Sequence, residues 1–450
     1  MPYLRMTRTP VVRKTPLGAY MCFTHPLVLE AFTSIIEIDE SSEMLFQLCD
    51  GTRTREDILH QLSKESGEPV EAFADDFDAF VQYMVGEGVL EWRDEPSYIE
   101  PLYDKTRPLS LTLALTFDCN LKCSFCAVEG GTAQPDEMTL DDIAPVLEQT
   151  KRLKPSPFYL SGGEPLLRKE MVLHILEEIC PVDGISVSIF TNGTLITKDY
   201  AQQLHDAGLQ MIRVSVDAHT EELGDRIRGK GAFKKTVQGI KHLKDVGIHV
   251  DAVSLISQTN YCYLKEIKEF VKQIADSYVI NRIIPMGRAV DSDLFLNEEE
   301  LIKVRMANFE TEQIQAAITP RNGCIVGLPL YIRADGEIFP CFYMQLPEFS
   351  LGNIRENTLS DVYNTALMQE LFQLTVENIE ECKDCDIRYF CGGGCRATPY
   401  RLKGSLRVPD PFDCSVYKAM ARKILEQGEE TTRKSLQDLI TATKALGKSH

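Results

Sequence analysis

The sequence predicts an α/β protein: a partial (β/α)6 barrel with an N-terminal winged-helix-like domain and a C-terminal cysteine-rich domain. Three observations predict it. Short apolar stretches alternate with helical ones six times between residues 109 and 317; the first 100 residues carry a separate pattern of strands and three helices; and seven of the fourteen cysteines crowd into residues 324–414. At about 150 residues per domain, 450 residues suggest about three domains, and 44% hydrophobic content is ample for buried cores. The expected divisions are 1–100, 101–317, 318–420 and a helical tail over 421–450.

Residues 1–100 hold 8 Lys+Arg against 19 Asp+Glu, a net of −11 out of −19 for the whole chain. Apolar stretches at 19–23 and 35–38 read as a hairpin. Helices are expected over 42–49, 55–65 and 71–86. Thr54 stands where an N-cap hydroxyl would start the second, and Phe73, Phe77, Phe80, Val81 and Val85 recur near helical spacing in the third. Residues 89–92 return to strand. Pro96, Pro101 and Pro108 mark 94–108 as a linker.

Barrel strands are expected over 111–117, 157–160, 185–190, 211–216, 250–256 and 282–284, with helices such as 141–152, 170–179, 233–246 and 264–274 between them. Such alternation implies parallel strands with right-handed crossovers. Six units suit an open version of the barrel, whose reacting groups gather at the C-terminal strand ends. Those ends are polar here. Cys119, Cys123 and Cys126 follow the first strand, Ser161-Gly162-Gly163-Glu164-Pro165 ends the second, Thr191-Asn192-Gly193 the third, and Ser215 and Asp217 the fourth. Singly, the ends of the second and third strands are also turn or cap sequences; the succession of polar ends on consecutive strands is what points to a site.

Three thiols on a tight loop suit two chemistries. A zinc knot uses four ligands, and no fourth Cys or His stands nearby. A 4Fe-4S cube can take three thiolates and leave its fourth iron to a ligand that is not protein. Further on, Cys324, Gly336 and Cys341 precede Cys382-x2-Cys385-x5-Cys391-x3-Cys395, and Cys414 follows. Zinc ribbons share the Cys-x2-Cys element. Cys22, Cys49 and Cys180 read as small core residues. Cys262, just beyond the fifth strand, stands where a further ligand could come from.

The first loop and the strand ends behind it resemble the radical S-adenosylmethionine (radical SAM) superfamily, whose three-cysteine loop has this spacing and an aromatic at the position of Phe125. The resemblance implies that Cys119, Cys123 and Cys126 hold a 4Fe-4S cluster, that its open iron chelates the methionine of S-adenosylmethionine (SAM), and that an electron from it cleaves the sulfonium to a 5′-deoxyadenosyl radical. It implies that Gly162 and Gly163 let backbone approach the methionine and that Glu164 accepts from its ammonium. Thr191, Asn192, Ser215 and Asp217 would face the ribose, and Arg228 would reach the SAM carboxylate.

The carboxy-terminal cysteines resemble the auxiliary-cluster extension called SPASM, whose cysteine and glycine pattern is complete here. By that resemblance Cys382, Cys385, Cys391 and Cys414 close around one 4Fe-4S cluster and Cys324, Cys341 and Cys395 hold another, making three in all. Some SPASM enzymes carry a further cysteine shortly after the first. Residues 325–340 contain none, which leaves a fourth iron open or bound from elsewhere. An open iron could bind a substrate thiolate, lower its pKa and receive an electron.

A winged helix invites a DNA-binding reading, but residues 41–86 show no helix with a basic face and the chain is strongly acidic. They resemble instead the precursor-peptide recognition element of ribosomal-peptide maturases, similar to the peptide chaperone of pyrroloquinoline quinone synthesis, in which a leader peptide adds a strand to a hairpin edge. An acidic face suits a basic or amphipathic leader. The resemblances together imply a radical SAM maturase of a precursor peptide, closing a thioether between a Cys sulfur and a carbon. Carbon–carbon crosslinking or oxidative decarboxylation is the runner-up; sulfatase-type or tetrapyrrole substrates, and a redox regulator, are the alternatives. A reducing partner such as flavodoxin or ferredoxin is expected. Nucleic acid and membrane partners are not: the charge opposes phosphates, and no stretch reaches eighteen apolar residues. With no signal-peptide core over 1–14, and with cysteines suited to a reducing compartment, a cytoplasmic location is expected. No side chain stands out as a general base, so no catalytic residue is assigned.

Overall fold

The first expected helix begins at Asp39, whose carboxylate caps it by accepting from Ser42 N, and the second begins at Thr54, where Thr54 and Asp57 cap one another's backbone amides. In this computed structural model the described residues are 2–6, 11–15, 18–25, 28–96, 107–290, 292–309, 320–428 and 430–446. They divide into two units, Met1–His25 with Phe32–Lys105, and Pro26–Ala31 with Thr106–His450.

The first unit runs β1 (Tyr3–Met6), β2 (Val11–Thr15), β3 (Gly18–His25), β4 (Val28–Ile38), α1 (Glu40–Leu48), β5 (Asp50–Thr54), α2 (Arg55–Ser66), α3 (Ala74–Gly86) and β6 (Leu90–Arg93). Two three-stranded sheets form, in the orders β5-β1-β6 and β2-β3-β4. The three helices and the returning strand stand where the sequence places them, and the expected hairpin falls within β3 and β4. β1, β2 and β5 were not foreseen. β1 is antiparallel to both β5 (Tyr3↔Thr54) and β6 (Leu4↔Trp92); such short strands owe their state to remote partners rather than to local periodicity. Leu4, Met6, Phe46, Ile58, Val81 and Leu90 are buried together as the core. Most of the expected linker, residues 97–106, and the side chain of Cys22 lie outside what is described.

The second unit alternates β7 (Ser110–Ala114), α4 (Leu140–Leu153), β8 (Phe158–Ser161), α5 (Lys169–Ile179), β9 (Val187–Thr191), α6 (Lys198–Asp206), β10 (Met211–Ser215), α7 (Glu221–Arg228), α8 (Ala232–Asp245), β11 (His249–Ile256), α9 (Leu264–Ile274) and β12 (Ser277–Arg282). The six strands are parallel neighbours. Their apolar runs, Leu111 and Leu113, Phe158 and Leu160, Val187 and Ile189, Ile212 and Val214, meet apolar helix faces such as Val172, Ile175, Leu176 and Ile179 in one core. The sixth strand corrects the expectation at 282–284: it pairs with β11 from Asp251↔Ser277 to Ile256↔Arg282. Only Ile280 of β12 is buried, so this edge strand carries a weaker apolar signal than Ile283-Ile284 just after it.

The chain continues through α10 (Glu298–Phe309), β13 (Pro329–Ile332), β14 (Ile338–Phe339), α11 (Ala366–Phe372), α12 (Arg388–Cys391), α13 (Ala397–Lys403), α14 (Pro411–Gln427) and α15 (Glu430–Leu446). β13 joins the free edge of β7 in parallel (Pro329↔Ser110) and β14 follows antiparallel, giving the order β12-β11-β10-β9-β8-β7-β13-β14. The cysteine-rich segment therefore extends the barrel sheet. α14 carries Cys414 and runs on through residue 420, so no break separates that segment from the helical tail.

Candidate metal centres

The first cysteine loop leaves β7 and is tied down by its neighbours. Gly163 N donates to Thr116 O (2.7 Å), Glu164 N to Asp118 O (2.8 Å) and Gly131 N to Phe117 O (2.9 Å). A Cβ on Gly163 would stand 2.1 Å from Asp118 O, and one on Gly162 2.6 Å from Thr116 O. What these two glycines admit is thus the backbone entering the cysteine loop. Two residues that the motifs did not reveal complete the anchorage. Buried Glu137 accepts from Phe117 N (2.7 Å) and Thr116 Oγ1 (2.9 Å). Arg288, just past β12, donates from its backbone to Cys126 O (3.0 Å), from Nε to Cys123 O (2.8 Å) and from Nη1 to Gly130 O (3.0 Å). The one signal for Arg288 was its place after the sixth strand, continuing the series of polar strand ends.

Glu164 is buried, and burial raises its pKa. Its Oε1 accepts from Leu166 N (3.1 Å) and Thr191 Oγ1 (2.7 Å), its Oε2 from Asn192 N (2.8 Å). A carboxylate offers about four acceptor positions, so one remains at Oε2. Asn192 reaches the cysteine loop by donating to Asn120 Oδ1 (2.9 Å). Ser215 closes β10 half-buried. Asp217 Oδ2 accepts from Arg228 Nε (2.5 Å) and Oδ1 from Leu255 N (2.8 Å). The Arg228 guanidinium lies over the Phe125 ring (5.6 Å to the centroid), with Nη1 3.9 Å from Cys123 Sγ. Asp217 and Arg228 thus meet each other and the cysteine loop.

The thiols gather in three sets. Cys119 feels the charges of Cys123 and Cys126; Cys341 those of Cys395 and Cys324; Cys382 those of Cys385 and Cys414, and Cys391 those of Cys382 and Cys414. Burial pushes Cys119, Cys382 and Cys395 up to about 11 and Cys391 to about 12, and raises Cys123 and Cys341 as well. Loading metal must then expel protons. Consecutive left-handed Gly392, Gly393 and Gly394 (φ 68°, 78°, 73°) turn the chain between Cys391 of one set and Cys395 of another. The described remainder differ: Cys49 is fully buried, Cys180 half-buried, and Cys262 exposed on the turn Tyr261–Tyr263.

Sets of three and four thiols are the donors an iron–sulfur cube takes, one to each iron. The described cysteines are all free thiols. Among the described residues no three Cys, His, Asp or Glu converge as a single metal ion would require. A cavity of about 310 Å³ touches both sides of the chemistry. Thr116, Gly162, Gly163 and Gly287 line it from the barrel, Arg333 and Arg401 from the cysteine-rich segment. No helix among the described residues is long and apolar enough to cross a membrane.

Comparison with known proteins places these observations. Residues 113–271 match the radical SAM superfamily, 324–386 the SPASM iron–sulfur cluster-binding domain, and 27–90 coenzyme PQQ synthesis protein D (PqqD). The AdoMet-dependent heme synthase of Oleidesulfovibrio alaskensis is 25% identical, aligned over 66% of this chain and 85% of its own. The sporulation killing factor maturation protein SkfB of Bacillus subtilis is 28% identical over 63% of this chain and 71% of its own. Streptococcus suis SuiB, solved bound to its precursor peptide SuiA, shares the fold at a TM-score of 0.62 and 16% identity, covering 92% of this chain and 100% of that one.

Proposed function

We propose that this chain, a radical SAM enzyme with a SPASM domain and an N-terminal PqqD-like domain, matures a ribosomally made precursor peptide. The observation that carries the reading is the joining of an acidic PqqD-like unit to a barrel whose cavity is walled both by the strand ends at Gly162 and Gly163 and by the cysteine-rich segment. The outer strands β2 and β4 of the first unit offer edges to which an extended leader can add, and 19 acidic against 8 basic residues there favour a basic leader.

Cys119, Cys123 and Cys126 would hold the SAM-binding cluster, and the other two sets would hold the auxiliary ones. When bound, the cluster and SAM supply a hydrogen-abstracting radical. The chain's own part is placement. Glu164 keeps one acceptor position for the SAM ammonium. Arg228, held by Asp217, sets a positive charge beside Cys123. Buried Phe125 excludes water from the loop.

The finer reading is a thioether between a peptide cysteine and a carbon, motivated by the second set's three thiols, one fewer than a cube's irons. A tetrapyrrole substrate is the second reading, favoured by the likeness to heme synthases. Anaerobic reconstitution should give about twelve irons per chain, four for each set. Mass spectrometry of a cognate peptide should then show loss of two hydrogens, with its cysteine no longer alkylatable. A product with a free thiol rejects the thioether; a chain that loads only zinc, or that cannot cleave SAM under reduction, rejects the whole reading.

A further inference from the structure

Arg401 stands in the last turn of α13, the helix that begins two residues after Cys395. Its Nε (3.1 Å) and Nη2 (2.9 Å) both donate to Tyr343 O, the carbonyl two residues beyond Cys341. The guanidinium thereby clamps the helix after one thiol of the second set to the loop after another. It also forms part of the wall of the cavity shared with Gly162 and Gly163. The half-buried cation has no carboxylate within ion-pair distance among the described residues. Glu348 acts on it only at longer range and is itself engaged by Tyr400 Oη (2.9 Å), and the Cys395 and Cys341 thiols lie near enough for any charge they carry to act on it.

Several buried or half-buried arginines of this unit meet carboxylates instead. Arg228 meets Asp217, Arg282 meets Asp410 and Asp413, Arg333 meets Asp335, and Arg355 meets Asp142. Arg288, Arg388 and Arg396 resemble Arg401 in donating to carbonyls, those of Cys123 and Gly130, of Cys385 and Thr443, and of Leu406 and Val408. A desolvated cation without a counter-charge is costly, so a guanidinium satisfied only by carbonyls and set against thiols calls for an anion at the thiols themselves.

We propose that Arg401 supplies the compensating charge for the iron–sulfur group held by Cys324, Cys341 and Cys395 and raises its reduction potential. The physical basis is elementary: reduction adds one negative charge to the group, and a fixed cation nearby stabilises the reduced form more than the oxidised one. Arg401 is a tuning and positioning residue on this account, and it biases that cluster toward accepting an electron. The inference rests on the reading that this thiol set holds a cluster, and not on the nature of the substrate.

The test is an EPR-monitored redox titration of the anaerobically reconstituted full-length protein with no peptide present. Arg401→Gln should lower one auxiliary midpoint, so that the ratio of reduced to oxidised cluster at a fixed poise falls about tenfold, or about 59 mV, while the other signals stay put. Arg401→Lys should keep the wild-type value. Arg401→His should give that one midpoint a pH dependence between about pH 6 and 8, where the imidazole loses its charge. Unmoved potentials in the Gln variant overturn the proposal. So does a Lys variant that shifts as far as Gln, or a His variant without the pH dependence. The His and Lys variants also carry the test should Gln fail to assemble its cluster. A protein that failed to modify peptides would leave these outcomes unchanged.

Discussion

Glu164 is held by three donors, and its removal should be felt well beyond the cofactor. In Glu164→Ala the Thr191 hydroxyl and the Leu166 and Asn192 amides lose their acceptor inside the protein. At about 1–3 kcal/mol for a stranded buried donor, a loss of about 3 kcal/mol is expected from urea unfolding. Glu164→Gln, which keeps an acceptor oxygen, should lose less. The sign of its pH dependence follows from burial. A carboxyl whose folded pKa is raised costs stability above that pKa, and the cost is relieved as pH falls through it. Asp142 behaves oppositely. Hydrogen bonds from Arg355, chiefly, hold it down at about 2 from 3.8. Its contribution is complete above 3.8 and is lost as pH falls toward 2. Urea midpoints measured across that interval should therefore drop in the wild type and flatten in Arg355→Ala. The motifs place Glu164 just past the end of β8, where it lies, but they could not show that Asp217 and Arg228 pair, since the two stand eleven positions apart with α7 between them.

At the scale of elements, the cysteine loop depends on what presses against it. Gly163 on the β8 end has Asp118 O where a Cβ would stand, so Gly163→Ala must push the loop out of position. Iron analysis after reconstitution should then fall from about twelve to about eight per chain, with the auxiliary sets spared. Wild-type iron in this variant would show that the loop is held by Arg288 and Glu137 alone. Most elements were legible because their periodicity is local: α9 falls where the sequence places it, and α2 carries the cap that Thr54 announces. β12 was misplaced because an edge strand buries one side chain, and β13 was missed as part of the barrel because its place beside β7 is a long-range pairing that four residues cannot advertise.

At the scale of the whole molecule, the division of labour between the two units is itself testable. Deleting residues 1–95 should leave iron content and uncoupled SAM cleavage intact while peptide turnover is lost, as read by mass spectrometry of the peptide and of 5′-deoxyadenosine. Retained turnover would mean that the first unit does not hold the leader. What the sequence by itself determined is chemistry written at short range: the spacing of Cys119, Cys123 and Cys126 on one loop, the Cys382–Cys395 ladder, the polar ends of successive strands and the acidity of residues 1–100. What only the tertiary structure decided is company kept at long range. Glu137 reaches back to the start of the first loop, Arg288 returns from beyond β12 to that loop, and Arg401 ties the helix after Cys395 to Tyr343 O. The reason is physical: a ligand type and its spacing are properties of a few consecutive residues, whereas a neighbour across the fold is fixed only when the sheet, its helices and the cysteine-rich segment have packed.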